Sequence, residues 1–600
     1  MRVADYIADF VYRLGVSEVF MVSGGGMMFL TDGVAKHAHL RAVCNHHEQA
    51  SAMAAVSYAK YTGNLGVGYF TTGCGGTNAI TGLLDAWQDS IPCLFISGQS
   101  KRKETVRNSG LRLRQFGVQE ADIVSIVHSL TKYAAMVNEP EKIAYHLEKA
   151  VHLARSGRPG PVWLDIPLDV QGAIVDASNL EGYSEEEARK DREGFKEVPT
   201  DEEIRKIQEL LATAKRPIVL AGQGIRLGRA IEDFRRFVES YKIPVVSSRL
   251  AIDLLPTDSP LFVGRVGTKG DRAGNFALQN SDLVLALGCR LSVSTTGHEY
   301  SDFAREAKIA VVDIDPIEHQ KRTVRIDLFI NSDIREFLNR MGTSVPLGSE
   351  EWRQQCQEWK TRYPACLPEY VDSSEGINLY YFSDQLCRNL RENAVLVGNA
   401  GSVDYVMAQA LRVSDGQRYI TSGAQGEMGY TIPACIGVCF ARGKGEVIGV
   451  TGDGALQMNI QELQTIVHHD LPIKLFIWNN SGYMCIRATQ NRYFDGRLIG
   501  ADSTSGVSFP NLRKIADAYG IQYFQAPDSR SLPNKIREVL AYPKAAICEV
   551  MCLHQQDILT AASIAKPDGR MVSRPLEDMY PFLDRQEFLK NMIVRPKEEV

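Results

Sequence analysis

Short apolar runs of strand length alternate with segments whose apolar residues recur at helical spacing along almost the whole chain. That alternation predicts an α/β protein built on parallel sheets, because parallel neighbours need a crossover element between them. Its clearest passage lies in the last third. Residues 446–451 form an apolar run that ends in Gly452-Asp453-Gly454, and Leu456, Ile460, Leu463 and Val467 then fall at helical spacing through 455–470. Residues 473–478 form a second run, closed by Asn479-Asn480-Ser481-Gly482. Right-handed crossovers make the two strands parallel, so Asp453 and Asn480 are expected together at the carboxyl edge of one sheet, where such folds bind ligands. A carboxylate oxygen, an amide oxygen and the Gly482 carbonyl suit the protein's share of a Mg²⁺ coordination sphere, with a diphosphate supplying the rest. Each motif alone reads as a turn closing a strand. Their pairing about one helix apart is what points to a metal.

Polar passages divide the chain. Residues 176–203 and roughly 343–375, the latter with Pro346, Gly348, Pro364 and Pro368, are the expected linkers. They leave blocks of 1–175, 190–342 and 372–555 and a charged tail, 556–600, that should cover the body as a lid or interface arm. Six hundred residues also exceed what one core serves. In the middle block, 217–224 and 283–290 read as buried strands ending near glycine and 309–315 as one ending in acid. That spacing predicts a Rossmann-like half-barrel able to hold a nucleotide, with Arg290 and Asp313 or Asp315 as contacts.

Composition narrows the function classes. A hydrophobic content of 44%, a charged content of 23% and a net charge of −5 give no basis for a nucleic-acid or anionic-membrane partner. The first residues lack the apolar core of a signal peptide and no run is long enough to span a bilayer, so a cytoplasmic protein is expected. The twelve cysteines contain no C-x-x-C pair, and Cys93, Cys435, Cys439 and Cys548 sit inside apolar runs as small buried hydrophobes would. One acid stands apart. The stretch LRAVCNHHEQASAMAAVSYAKYTG reads as a strand to about Cys44, a turn and an alanine-rich helix, which puts Glu48 at the junction. By itself that is an ordinary favourable charge at a helix N-terminus.

Glu48 does not stand alone. His47-Glu48-Gln49, Thr72-Gly73-Cys74-Gly75-Gly76-Thr77-Asn78, Asp89-Ser90-Ile91-Pro92, Gly98-Gln99, Arg158-Pro159-Gly160-Pro161 and Asp165-Ile166-Pro167 join the Asp453 and Asn480 motifs. Together they resemble the acetolactate synthase branch of the thiamine diphosphate enzymes, from residue 1 to about 555. The resemblance implies three doubly wound parallel-sheet domains: pyrimidine-binding, Rossmann-like middle and diphosphate-binding. It also implies a homodimer or homotetramer whose active sites lie between the first domain of one subunit and the third of another. Glu48 would hydrogen-bond the pyrimidine ring of the cofactor and promote its imino tautomer, which takes the thiazolium C2 proton. That step needs a carboxylate in a mostly apolar cleft, and the adjacent ASAMAAVS is apolar. Asp453, Asn480 and Gly482 would hold Mg²⁺. Gly398, Asn399 and Ala400 match the loop whose amides meet the diphosphate, with Gly452, Gly454, Ala455, Asn480, Tyr483 and Met484 as further cofactor contacts. Gly426 and Met428 match the segment whose bulky apolar residue wedges under the cofactor and forces its rings into a V. Gln119 would orient a bound carbonyl. Gly25 and Gly26 would leave room above the thiazolium.

The departures from that pattern carry the substrate argument. Thr489 stands where acetolactate synthases usually have a tryptophan shaping the acceptor pocket, and Leu168 replaces a usual lysine. The double histidine of simple decarboxylases is absent. GCRLSVSTTG lacks the acidic and basic pair those synthases show after the arginine, so FAD in the middle domain and an empty middle domain both stay open. The expectation is a thiamine diphosphate- and Mg²⁺-dependent carboligase. It would decarboxylate a small 2-keto acid, pyruvate first, and transfer the acyl-anion unit to a second carbonyl acceptor larger than pyruvate, a keto-sugar among the candidates. The alternatives are acetolactate synthesis itself, decarboxylation or C–C cleavage of another keto acid or dione, and a binding or regulatory homologue without turnover. Intact Glu48, Asp453 and Asn480 argue against the last.

Overall fold

The computed structural model describes residues 1–192, 196, 198–343, 347–371, 373–565 and 570–597. Three six-stranded parallel sheets follow one another along the chain. The first holds β1 (Glu18–Met21), β2 (Arg41–Cys44), β3 (Gly66–Phe70), β4 (Cys93–Gln99), β5 (Ala134–Met136) and β6 (Val162–Pro167) in the order β2-β1-β3-β4-β6-β5. The second holds β7 (Pro217–Ala221), β8 (Val245–Ser247), β9 (Phe262–Arg265), β10 (Leu283–Leu287), β11 (Lys308–Asp313) and β12 (Leu328–Asn331). The third holds β13 (Val395–Gly398), β14 (Arg418–Ile420), β15 (Val447–Gly452), β16 (Ile473–Asn479), β17 (Gln522–Ala526) and β18 (Ala546–Met551), and its order, β14-β13-β15-β16-β18-β17, repeats that of the first. The middle sheet runs β12-β11-β10-β7-β8-β9, the strand order of dinucleotide-binding folds. It is open, not the half-barrel its strand spacing suggested. Strands such as β4 and β16 are buried along almost their whole length because helices cover both faces of each sheet.

Four helices position the site: α1 (Glu48–Thr62), α2 (Gly401–Ala410), α3 (Thr431–Ala441) and α4 (Met484–Tyr493). The first and third sheets meet through α1 and α3. Their backbones approach so closely that a Cβ on Gly437 would lie 2.1 Å from the Ala54 carbonyl oxygen, and Ser57 Oγ donates to the Ala434 carbonyl at 3.1 Å. Ala52, Met53, Ala54 and Ala55 are buried in that contact. The apolar run after Glu48 therefore serves domain packing, and does not line a cleft around the acid as its composition suggested.

The tail lies on the middle domain. Gln279 Nε2 donates to Glu577 at 2.6 Å, Arg305 pairs with Glu577 at 2.7 Å, and Trp359 Nε1 donates to Asn591 at 2.8 Å. It also reaches α4, where Tyr493 Oη donates to the Ser563 carbonyl at 3.2 Å and Arg492 stacks over Tyr580. All twelve cysteines are free, and Cys44 and Cys74 are exposed. Among the described residues no helix is long and apolar enough to cross a membrane.

Candidate active site

The register Gly452↔Trp478 between β15 and β16 brings Asp453 and Asn480 side by side just past the strand ends. Asp453 is buried. Its Oδ1 accepts from the Gly454 amide at 2.7 Å and its Oδ2 from the Asn480 and Gly482 amides at 3.2 Å. Burial pushes its carboxyl up to about 6 against the pull of those amides. Among the described residues no group of three or more histidine, cysteine, aspartate or glutamate side chains could cage a metal. One buried carboxylate beside an amide oxygen and a loop carbonyl fits Mg²⁺ shared with phosphate oxygens, and does not fit a metal held by protein alone.

The turn after β16 is fixed from behind by Arg487, which sequence reasoning missed. Its guanidinium, 2% exposed, donates to the Asn480 carbonyl at 3.0 Å, to Asn480 Oδ1 at 3.3 Å and to the His554 carbonyl. The available signal was an arginine directly after Met484-Cys485-Ile486, an apolar setting in which a charge needs a reason. Gly482 has φ +155°, and a Cβ there would lie 2.1 Å from Arg487 Nη1 and 2.3 Å from the Ala501 carbonyl oxygen. Only glycine fits. Tyr483 lays its ring on Gly454, where a Cβ would be 2.1 Å from Cε1.

The expected diphosphate loop follows β13. Ala400 has φ +70° and precedes α2, whose first amides have no side-chain cap. Asn399 does not offer its side chain to a ligand. Its Nδ2 donates to the Glu427 carbonyl at 2.7 Å and its Oδ1 accepts from Thr421 at 2.8 Å, so it ties this loop to the Gly426–Met428 segment. Any contact from Asn399 to a diphosphate is left to its backbone. Met428 is half-buried there.

Glu48 opens α1, with His47 as its N-cap. The carboxylate is half-buried and its Oε2 accepts from Asn78 Nδ2 at 3.0 Å. Beside it, Gln49 Oε1 accepts from Asn459 Nδ2 at 2.9 Å, while Glu462 accepts from Asn45 Nδ2 at 3.0 Å and the His46 amide at 2.9 Å. These bonds break the helix expected over 455–470. It becomes a helical turn Asp453–Leu456, a 3-10 stretch Gln457–Glu462 with Asn459 out of helical conformation, and a helix Leu463–His468.

At the same edge of the first sheet Gly25 faces open space, and the Gly26 amide donates to Thr71 Oγ1 at 3.2 Å. Gln119 is exposed with φ +58°. It is presented by its neighbour: buried Glu120 accepts from the Val106, Phe116 and Gly117 amides at 2.5, 2.9 and 3.1 Å. Beneath lies a second buried acid. Asp165 accepts from Ser97 at 2.6 Å and Gln99 at 3.0 Å, and burial pushes its carboxyl up to about 7. Thr489 is exposed on α4, its hydroxyl turned back to the Cys485 carbonyl at 2.9 Å.

Several motif residues join domains. Asp89 accepts from the Gly423 and Ala424 amides at 2.9 and 3.0 Å, ahead of Met428, and Lys60 pairs with Asp85 and Asp89 at 2.8 Å each. Arg158 bonds Ser90 and reaches Asp315 at 3.1 Å and Glu318 at 2.6 Å. That occupies Asp315. Arg290 and Asp313 line a cavity of about 560 Å³ at the carboxyl edge of the middle sheet, with Gly224, Ser248, Arg249 and Gly288. There a Cβ on Gly222 would lie 2.0 Å from the Gly288 carbonyl oxygen.

The structure thus gathers the metal-binding and diphosphate-loop candidates at one edge of the third sheet, and Glu48, Gly25, Gly26 and Gln119 at the corresponding edge of the first. Among the described residues no hydrogen bond links Glu48 or Gln119 to Asp453, Asn480 or Gly482. Known proteins show the same division. Models of the N-terminal TPP binding domain, the central domain and the C-terminal TPP binding domain of thiamine pyrophosphate enzymes match residues 1–133, 204–341 and 399–550. The acetolactate synthase large subunit of Lactococcus lactis is 32% identical over 554 residues, covering 91% of this chain and 92% of that protein. The probable acetolactate synthase large subunit of Methanocaldococcus jannaschii is 31% identical, covering 96% and 95%. Chloroplastic acetolactate synthase 1 of Nicotiana tabacum is 30% identical, covering 93% and 82%. The repeated first and third sheets, the Asp453–Asn480 edge and these full-length likenesses place the chain among the thiamine diphosphate-dependent enzymes of the acetolactate synthase-like family.

Proposed function

We propose that the chain is a carboligase that decarboxylates pyruvate and joins the remaining two-carbon unit to a carbonyl acceptor larger than pyruvate. Thiamine diphosphate, when bound, supplies the nucleophilic carbon and the sink for the electrons left as carbon dioxide departs. In the overall reaction the bond between the donor's carbonyl and carboxylate carbons breaks. A bond to the acceptor's carbonyl carbon forms, and the acceptor oxygen takes a proton. The chain's part is positional. Asp453 Oδ, Asn480 Oδ and the Gly482 carbonyl would hold Mg²⁺, with Gly398, the Ala400 backbone, Gly452, Gly454, Ala455, Tyr483 and Met484 around the cofactor. Met428 would set its shape, Glu48 would hold a proton at its pyrimidine end, and Gln119 with Gly25 and Gly26 would flank the donor.

The observation that carries the acceptor reading is the exposed Thr489 on α4, where a small side chain leaves open a face that a large one would fill. Proton NMR of the protein with thiamine diphosphate, Mg²⁺, pyruvate and a panel of aldehydes and ketones tests it, with Glu48→Ala as control. Pyruvate loss coupled to a mixed ligation product, absent in the control, is expected. Acetolactate as the sole product would return the chain to the reaction that its relatives' names state, and unchanged pyruvate would reject the donor.

For the middle domain we favour a bound nucleotide, FAD first. The strand order, the close Gly222–Gly288 approach and the cavity beside Arg290 and Asp313 support it. A flavin absorbance band released from the purified protein by heat is the expected result; its absence would favour an empty domain.

A further inference from the structure

The loop Gly267–Gly270, which follows β9, is fixed on every side. Asn275 bonds both the amide and the carbonyl of Gly267, at 2.9 and 3.0 Å. The Thr268 amide donates to the Ser294 carbonyl at 2.9 Å, and the Thr268 carbonyl accepts from the tail's Ala561 amide at 2.9 Å. The Lys269 carbonyl accepts from Gln409 at 3.1 Å. So much backbone bonding makes a rigid platform. The Lys269 ammonium rests 4.5 Å from the centre of the Tyr405 ring and forms no hydrogen bond or ion pair among the described residues.

The groups that face Lys269 sharpen the anomaly. Arg249 comes from the segment after β8, Asp404 and Tyr405 from α2, and Cys485 and Arg492 from α4. Asp404 Oδ2 is taken by Arg249 at 2.7 Å, and among the described residues neither Lys269 nor Arg492 forms an ion pair. Arg492 rests on the Tyr493 and Tyr580 rings. Burial, reinforced by Arg249 and Arg492, pulls the Lys269 ammonium below its usual range. Lys269 and Arg249 are half-buried and Arg492 is exposed, so the cluster is open to a ligand, and an anion joining the cations would relieve their mutual repulsion.

Cys485, Thr489 and Arg492 follow one another at i, i+4 and i+7, so they share one face of α4. Lys269 faces two of the three, and Thr489 lies between them. Tyr405 stands a turn beyond the loop assigned to the cofactor's diphosphate, and Thr489 marks the side on which the acceptor is proposed to enter. We propose that Lys269 and Arg492 form a subsite for a phosphate or diphosphate ester carried by the carbonyl acceptor. The inference rests on the carboligase reading and adds the acceptor's chemical class.

The test has a binding arm and a turnover arm, both with full-length protein loaded with thiamine diphosphate and Mg²⁺. Isothermal titration uses two unreactive probes, glucose 1-phosphate for a monoester and uridine diphosphate glucose for a diphosphate. At least one should bind the wild type about tenfold more tightly than Lys269→Met, and which one tells the source of the phosphate. Equal or undetectable binding of both probes in the two proteins overturns the subsite. In the turnover arm pyruvate is ligated to dihydroxyacetone phosphate or dihydroxyacetone. The ratio of the two kcat/KM values should fall about tenfold in Lys269→Met. If no acceptor consumes pyruvate, the carboligase reading fails and the binding arm still decides the subsite. Two further readouts separate the alternatives. A weaker thiamine diphosphate Kd in Lys269→Met would assign the lysine to the cofactor and overturn the proposal. A Tm several degrees below wild type in ligand-free protein would make it a structural strut and do the same; an unchanged or raised Tm is expected.

Discussion

A single carboxylate beside the candidate wedge residue offers a direct electrostatic test. Both oxygens of Glu427 and the neighbouring Ser422 hydroxyl are buried, and among the described residues none has a hydrogen-bond partner of good geometry beyond the weak approach of the two groups to each other. Burial pushes the Glu427 carboxyl up to about 7. In the unfolded chain the same group ionises near its ordinary value, so between roughly pH 4.5 and 7 the native state binds the extra proton. Its stabilising share is complete at the acid end of that window and is lost as the pH rises through 7. The native state then carries a poorly compensated buried charge that costs up to about 3 kcal/mol. Glu427→Gln removes the titration. Its Tm should match wild type near pH 4 and exceed it by a few degrees near pH 7.5; a difference that stays constant across that range would show that Glu427 does not titrate there. Residue-scale roles of this kind were not legible beforehand. Glu427 sat unremarked inside a motif, and the joining role of the Asn399 side chain was hidden because its partners, Thr421 and the Glu427 carbonyl, lie more than twenty residues away.

At the scale of elements, legibility followed the origin of the forces. The β15–helix–β16 unit could be read because strand burial and crossover handedness are local properties, and they put Asp453 beside Asn480 where expected. The broken helix after Asp453 could not. Its apolar period continues through Val467, but Gln49, Asn45 and His46 claim Asn459 and Glu462 from another domain. The apolar run after Glu48 was misread for the same reason, since α3 is its partner and lies nearly four hundred residues on. The metal turn makes an element-scale prediction. Arg487 fills the space at Gly482, so Gly482→Ala must push back either that guanidinium or the backbone at Ala501. Both shifts would move the Asn480 carbonyl and amide that Arg487 holds. Gly482→Ala should weaken Mg²⁺-dependent thiamine diphosphate binding by at least tenfold, with the circular-dichroism spectrum unchanged. Arg487→Met should do the same from the other side of the contact. Wild-type affinity in both variants would remove the turn from the binding site.

The whole molecule presents its candidate groups on two sheet edges, and the surface beside one of them is apolar. Leu111, Phe116 and Val118, on the loop that presents Gln119, are 62%, 51% and 84% exposed. Exposed apolar side chains beside the candidate groups are the kind of surface that a second copy of the chain would cover if the sites are shared between subunits. The middle domain and tail explain the rest of the length, bracing α4 and the 267–270 loop, roles that composition does not encode. Shared sites can be tested by complementation. Glu48→Ala and Asp453→Asn should each be inactive as pure proteins. In a dimer that builds each site from the first domain of one chain and the third of the other, a mixed dimer carries both lesions in one site and neither in the other. Two differently tagged variants co-expressed in equal amounts make half their dimers mixed, each with one intact site of two. The population should recover about a quarter of wild-type activity, and the doubly tag-purified mixed dimer about half. Sites built within single chains would leave every site with one lesion, and the mixture would stay as inactive as its parents.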